Sequence, residues 1–508
     1  MVESAKLIKL HASDNVVIVP NGAEAGEGLS EGIVAQSDIP AGHKVAVFEI
    51  PSGGAVLKYN QAIGLATQAI SPGAHVHDHN VTLDGLASPV EGGVKSRVFV
   101  EPLTQFKQAT FLGYDRNNGR YGTRNYIGIV TSVNCSATAA DYVAKHFTKE
   151  VLANFPNVDG VVAFTHGSGC GMARHGYGFD NLTRVLSGYL QHPNFGGVLM
   201  FGLGCEANQI GLMFENTNIE EGPLLRAMTL QDEGGTIATV NRGIEMINEM
   251  LPVVNSVERE PIDAKHLTLA LQCGGSDAYS GITANPALGV ASDILVQHGG
   301  SVILAETPEI VGAENLLIER ATNQGVVDKL VDRIKWWQHY TAINDAEFNN
   351  NPSPGNKAGG LSTIFEKSLG AVAKSGSSPL VDVLLYGERL RERGLNFMDS
   401  PGFDPVSITG EVASGANLVA FTTGRGSCYG CKPVPSVKLA TNSTMYARME
   451  PDMDVNCGRV VDQELSVNEL GQQIFDQLLR IASGEPTKSE ALGVGDNEFV
   501  PWQIGAIM

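Results

Sequence analysis

From Tyr126 onward the chain repeats one rhythm: a short apolar run, an abrupt turn of small residues, then a helical stretch. Tyr126–Val133 ends at Asn134-Cys135-Ser136, and Val158–Phe164 at His166-Gly167-Ser168-Gly169-Cys170-Gly171. Val198–Leu203 ends at Gly204-Cys205-Glu206, and Leu267–Leu271 at Gln272-Cys273. Strands that alternate with helices imply parallel sheets covered on both faces. Ligands of such sheets bind in the crevice outside the carboxyl ends of the strands. Cys135, Cys170, Cys205 and Cys273 all fall at those ends. A chain of 508 residues exceeds one ordinary core, so two or three domains are expected.

The densest chemistry lies in Leu271–Pro286. Here an apolar run breaks into Cys273-Gly274-Gly275-Ser276-Asp277, with Thr283 and Asn285 close behind. Paired glycines at a strand end bring backbone N–H groups near whatever binds there. Packing alone does not call for so many small polar groups, so this stretch is expected to belong to an active site. Asp277 and Glu306 each lie just past an apolar strand and are candidate metal or hydroxyl partners.

Residues 1–100 read as a small β module, with short β-rich runs separated by Pro-Asn-Gly, Pro-Ala-Gly and Pro-Ser-Gly-Gly. It carries His75-Val76-His77-Asp78-His79-Asn80. On a strand, His75, His77 and His79 share one face, about 7 Å apart in succession. Imidazoles so placed can share a metal, or the stretch is a polar loop rich in histidine. His43-Lys44 and Lys58-Tyr59 read as strand-edge pairs unless the module faces the later glycine turns. Residues 81–110 look like a linker.

Beyond the linker, Gly113–Asn125 places Arg116, Arg120, Arg124 and Asn125 in a glycine-punctuated loop. Its arginines can grip a carboxylate in forked hydrogen bonds, or pair with surface acids. Ala313 to about Asn344 reads as one helical stretch. Asn350–Gly360 follows, fixed by prolines and opened by glycines, and would present Asn356 and Lys357, or merely connect domains. The strand Asn417–Phe421 runs into Thr422–Ser427, a turn bearing Arg425. Cys428-Tyr429-Gly430-Cys431 has no second pair nearby to complete a metal site. The expected units are residues 1–100, 111–255 and 256–508.

Composition excludes several classes. A formal net charge of -20 argues against nucleic acid or anionic lipid as partner, so an acidic ligand needs a local cluster of cations or N–H groups. No apolar run reaches membrane-spanning length. Seven cysteines in so long a chain fit a reducing compartment, hence a cytoplasmic protein. No Walker-type loop, Gly-x-Ser-x-Gly elbow or dinucleotide fingerprint stands out, which argues against kinases, esterases and dehydrogenases.

Taken in order, GYDRNNGRYGTRN, HGSGCG, GLGCE, QCGGSDAYSGITANP, NPSPGNKAGG and TTGRG resemble the altronate/galactarate dehydratase family over almost the whole chain. The histidine stretch looks like the altronate branch, which makes altronate the expected substrate, with galactarate or another hydroxy acid of the same family as the alternative. The resemblance implies an α/β protein: an N-terminal SAF-type β-clip followed by Rossmann-like parallel-sheet domains. It also implies a hydro-lyase that removes water from a sugar acid to give a 2-keto-3-deoxy acid. Its cofactor would be a divalent metal, Fe²⁺ or alternatively Mn²⁺. The expected roles are proton transfer by His43, His166, Asp277 or Lys357, and metal binding by His75, His77, His79 and Glu306. Substrate would be held by Arg116, Arg124, Asn125, Gly274, Gly275, Ser276, Thr283, Asn285, Asn356 and Arg425. A homo-oligomer is expected. Two rival readings stand: a hydro-lyase with [4Fe–4S] on three of Cys135, Cys170, Cys205 and Cys273, and a sugar-acid-binding protein without turnover.

Overall fold

The structure is a computed structural model that describes residues 7–29, 32–86, 108–463 and 465–507. In the N-terminal module, two three-stranded antiparallel sheets lie close together. One joins Val16–Ile18, Lys44–Ala46 and His75–Val76, the other Ala55–Lys58, Gln61–Ala66 and Val81–Thr82. The expected strand through three alternating histidines is only two residues long. After Val76 the chain bends, fixed by His77 N–H donating to Asn80 Oδ1 at 2.9 Å. Most of the expected linker, residues 87–107, lies outside the described residues.

A four-stranded parallel sheet comes next, in the order Gly160–Phe164, Tyr126–Thr131, Phe195–Gly202, Leu225–Thr229. Tyr126–Thr131 is buried at every residue, as a β-branched run covered on both faces must be. Helices Ala137–His146 and Thr236–Asn255 cover one face and helix Tyr177–Leu190 the other. Strand Thr110–Asp115 leads in and pairs antiparallel with Glu260–Asp263, which leads out, so entry and exit are tied together.

The last part is built on a seven-stranded parallel sheet. Its order is Leu380–Leu384, Leu395–Met398, Ser301–Ala305, Thr268–Cys273, Leu418–Thr423, Ser436–Ala440, Val455–Asn456. The chain builds outward from Thr268–Cys273 in one direction, then returns to add Leu418–Thr423 on its other side. The strand order therefore reverses between these two, and a crevice opens at their carboxyl ends. The expected single helical stretch after Ala313 is two helices, Glu314–Ile318 and Gln324–Ile343. Asn323 restarts the second by accepting the Val326 N–H at 3.2 Å.

Cores join the parts. Val16, Ala46, Val56 and Val76 of the N-terminal module share one apolar cluster with Leu269, Leu271, Leu288 and Leu478 of the large sheet and its helices. A second cluster links Val130 and Phe164 of the four-stranded sheet to Ala270, Ile303 and Phe421 of the seven-stranded one. Among the described residues, no helix is long and apolar enough to cross a membrane.

Candidate active site

At the reversal point, the turn after Thr268–Cys273 is strapped to the turn after Leu418–Thr423. Gly275 C=O accepts from Gly424 N–H (3.1 Å) and Arg425 N–H (2.8 Å), and its φ of +61° suits glycine. Directly above lies a cavity of about 380 Å³ lined by Asp277, Tyr279, Gly359, Gly424, Arg425, Asn442 and Arg448. Pro20, Asn21 and Ala41 of the N-terminal module also line it.

Asp277 is 4% exposed. Its carboxylate accepts from Thr441 Oγ1 (2.9 and 3.0 Å), Asn442 Nδ2 (3.0 Å), Ser280 N–H (2.9 Å) and Ser280 Oγ (3.1 Å). Burial raises its pKa above the ordinary aspartate value, while these donors hold it down. Gly424 is required beside it, since a Cβ there would meet the Asp277 carboxyl carbon at 2.0 Å. Arg425 and Arg448 are exposed, and no ion pair joins either guanidinium to a carboxylate among the described residues.

The Ser353–Gly360 turn forms a second wall. Asn356 Nδ2 donates to Ser276 C=O (2.8 Å), while its Oδ1 caps helix Pro354–Ala358 by accepting from Ser353 N–H (2.9 Å). A Cβ at Gly359 would lie 2.9 Å from Asp277 Cβ and 3.3 Å from Arg425 Cδ. Asn356 thus ties this turn to the Ser276 carbonyl, and of Ser276, Asn356 and Arg425 it is Arg425 that lines the cavity itself.

On the far side of this turn the N-terminal module brings in its histidines. His43 Nδ1 lies 3.0 Å from His75 Nε2, and His43 Nε2 lies 3.3 Å from Ala358 C=O. The rings of His43 and His77 are 4.8 Å apart, and those of His75 and His79 are 5.3 Å apart. Lys357 Nζ reaches Asp78 at 3.4 Å. Burial lowers the pKa of His43, brings His75 to about 3 and His77 to about 4, so all three rings are neutral near pH 7.

Among the described residues, two groups of three ligand atoms lie within 4.8 Å of one another: His43, His75 and His77, and Cys273, Glu306 and Glu309. The histidine group fits a divalent transition metal, since its rings are neutral and the buried His77 Nδ1 has no partner. The second group fits less well. Lys374 Nζ already sits 2.9 Å from Cys273 Sγ and Lys367 Nζ 2.7 Å from Glu309 Oε1, so two ammonium groups occupy the place of a cation. Glu306 stands out there, with φ +74° and both carboxylate oxygens buried without a partner. Burial and neighbouring Glu309 push its pKa well up, which favours the neutral acid. Burial, partly offset by the Gln272 hydrogen bond, brings nearby Asp404 to about 6.

Several expected site residues are placed elsewhere. Arg124 is 3% exposed and binds Glu490 (2.7 and 2.8 Å) and the Ile481 carbonyl, while Arg116 binds Pro193 C=O, Arg124 C=O and Asn125 Oδ1. Asn125 in turn donates to the Asn157 and Val254 carbonyls, so this loop's donors are consumed in joining elements rather than in gripping a ligand. Arg120 donates to Gln191 C=O. His166 is buried against Thr131 C=O at the four-stranded sheet, away from the Asp277 cavity. Gly274 N–H is taken by Thr422 C=O. Thr283 donates to Thr441 C=O, and Asn285 joins Thr422 to Gly370, so both brace the turns from beneath. Glu306 belongs to the Cys273 group and not with the histidines, because it leaves a different sheet strand. His79 is exposed and stands outside the closest histidine trio. Cys273 lies apart from the other three strand-end cysteines, buried at the larger sheet.

Residues that sequence reasoning passed over complete the site. Thr441 and Asn442 follow strand Ser436–Ala440, so the strand-end rule applied one strand further would have found them. Glu366 takes Lys44 (2.9 Å) and Lys58 (2.8 Å) in a buried triad that docks the N-terminal module. Its sequence signal is the Glu366-Lys367 pair set among the apolar residues of helix Ile364–Val372.

Comparison with known proteins agrees with this architecture. The model for the altronate/galactarate dehydratase SAF domain matches residues 5–84, that for the second domain of D-galactarate dehydratase/altronate hydrolase matches 113–255, and the C-terminal D-galactarate/altronate dehydratase model matches 264–507. Galactarate dehydratase (L-threo-forming) of Escherichia coli (strain K12) is 39% identical, covering 95% of this chain and 94% of its own length. The chain belongs to the altronate/galactarate dehydratase family. Another member, altronate dehydratase of Bacillus subtilis (strain 168), is 36% identical over 95% of this chain and 96% of its own. A more distant likeness of this altronate/galactarate dehydratase family chain is to the beta subunit of (2R)-sulfolactate sulfo-lyase from Chromohalobacter salexigens. That subunit is 32% identical over 78% of this chain and 98% of its own length.

Proposed function

We propose that this chain is a sugar-acid hydro-lyase acting on altronate, and that it works in the cavity beneath Asp277. The observation that carries this reading is a buried, fully held carboxylate in a cavity with two guanidiniums that have no carboxylate partner among the described residues. Arg425 and Arg448 bind the substrate carboxylate, replacing water in an otherwise acidic molecule. The proton on the adjoining carbon is very weakly acidic, so its removal needs a placed base and a stabilised enolate. Asp277 takes that proton, its raised pKa bringing it nearer to the value at which a carboxylate both accepts and releases one. Lys357, at the boundary between cavity and histidines, delivers a proton to the departing C3 hydroxyl. Water leaves, and the enol rearranges to the 2-keto-3-deoxy acid. His43, His75 and His77 would hold Fe²⁺ or Mn²⁺, which when bound supplies Lewis-acid polarisation of the substrate oxygens. The Gly424 and Gly359 backbones keep the cavity wall close to Asp277.

Galactarate is the second reading, because two guanidiniums at one cavity suit a substrate with two carboxylates. A keto-acid assay over altronate, galactarate and related aldonates and aldarates, with Fe²⁺, Mn²⁺ or chelator, decides between them. A higher kcat/KM for altronate supports the first reading. No keto acid from any substrate, with binding retained, refutes turnover.

A further inference from the structure

Cys135, Cys170 and Cys205 are all exposed, on three successive turns at the carboxyl edge of the four-stranded sheet. Those turns are bonded into one unit. Asn134 N–H donates to Ser168 C=O (3.0 Å), Asn208 N–H to Gly169 C=O (3.1 Å), and Asn208 Nδ2 to Ser132 C=O (3.3 Å). Glu206, 1% exposed, accepts from Ser132 Oγ (2.6 Å) and Gly204 N–H (2.6 Å). Each cysteine is thus next to, or within three residues of, a bond that fixes its turn to a neighbouring one. Gly169, at φ +97°, permits the closeness, since a Cβ there would meet Ser132 C=O at 2.2 Å.

Packing does not explain these thiols, because they face solvent, where unligated cysteines are open to oxidation. Cys205 Sγ accepts a hydrogen bond from the Gln231 side-chain amide at 3.4 Å, the kind of contact that tunes a ligating sulfur. Three thiols on turns bonded to one another is the arrangement that a multinuclear core with three thiolate ligands requires.

We propose that Cys135, Cys170 and Cys205 hold a [4Fe–4S] cluster, leaving one iron free of protein thiolate. Cys170 also lines a cavity of about 290 Å³ with Ser168, Met172, Trp502 and Gln503, the space in which an oxygen ligand of that iron would lie. This centre is separate from the histidine group and independent of the reading given for the Asp277 cavity. Assembly balances as two ferric ions, two ferrous ions, four sulfides and three thiolates. The three thiol protons go to solvent, and no further oxidant is needed.

The test is anaerobic reconstitution of the full chain with equal ferric and ferrous iron and sulfide, followed by desalting. The expected product is brown, carries iron and acid-labile sulfide in equal amounts, and gives an electron paramagnetic resonance signal after dithionite reduction. Cys135→Ser, Cys170→Ser and Cys205→Ser should each lose most of the sulfide-labile iron, while Cys428→Ser, at an exposed cysteine elsewhere, keeps it. Gln231→Leu should keep the cluster but shift its reduction potential downward, which a merely structural glutamine would not do. Thermal unfolding of the iron-free variants separates loss of ligation from loss of fold. A reconstituted wild type without labile sulfide overturns the proposal. So does a folded triple serine variant that binds as much as wild type, or a disulfide joining two of these cysteines after anaerobic purification.

Discussion

Asp277 is the residue on which chemistry and structure bear most directly. Its oxygens are held by groups from two segments, Ser280 and the Thr441-Asn442 turn, so replacing it by asparagine keeps the shape and removes the charge. Asp277→Asn should lower kcat by roughly 10²–10⁴-fold with little change in melting temperature, as steady-state assay beside thermal unfolding would show. The histidines make a different claim. His77→Ala should weaken Fe²⁺ or Mn²⁺ binding by more than the about 10–100-fold that an outer hydrogen-bond partner of a ligand is worth. Titration calorimetry reads this without substrate, and unchanged affinity would remove His77 from the ion site.

At the scale of elements, the cavity is a product of backbone turns that approach too closely for side chains. Gly424→Ala would press a methyl group into the Asp277 carboxyl and displace it. A shift of about 1 Å in such a group costs about 10²-fold in kcat/KM, with the fold retained. The strand–turn–helix rhythm made the parallel sheets and their active edge legible in the sequence. Asp277 and Arg425, which line one cavity, both follow apolar runs, so their place at strand ends was legible. Arg124 and Asn125 misled for a physical reason: a guanidinium or amide in a glycine-rich loop looks the same whether it waits for a ligand or binds carbonyls from distant helices. Only coordinates reveal that the Ile481 and Val254 carbonyls use up those donors. Glu366 was illegible for the complementary reason, since its two lysine partners lie about 300 positions earlier in the chain.

Across the whole molecule, the buried Lys44–Glu366–Lys58 triad holds the N-terminal module on the large sheet, helped by Thr363 Oγ1 on the Ile63 carbonyl (2.6 Å). Glu366→Gln leaves two buried ammonium groups without their counter-charge and should destabilise the fold by about 3–5 kcal/mol in chemical denaturation. Burial opposes the Glu366 charge, but the two lysines hold its pKa far below the usual carboxylate value. Its contribution is therefore complete above about pH 4.3 and is lost as the pH falls further. The stability gap between wild type and variant should be widest near neutrality and narrow only in acid.

The seam between module and sheet also separates the chemistry, with imidazoles on one side and Asp277 with its arginines on the other. A sugar acid lying across both would act as mortar: each molecule bound adds to the adhesion of the two blocks, by mass action. Catalytic competence and assembly of the polypeptide are then the same event, and whatever loosens the joint silences the enzyme before anything unfolds.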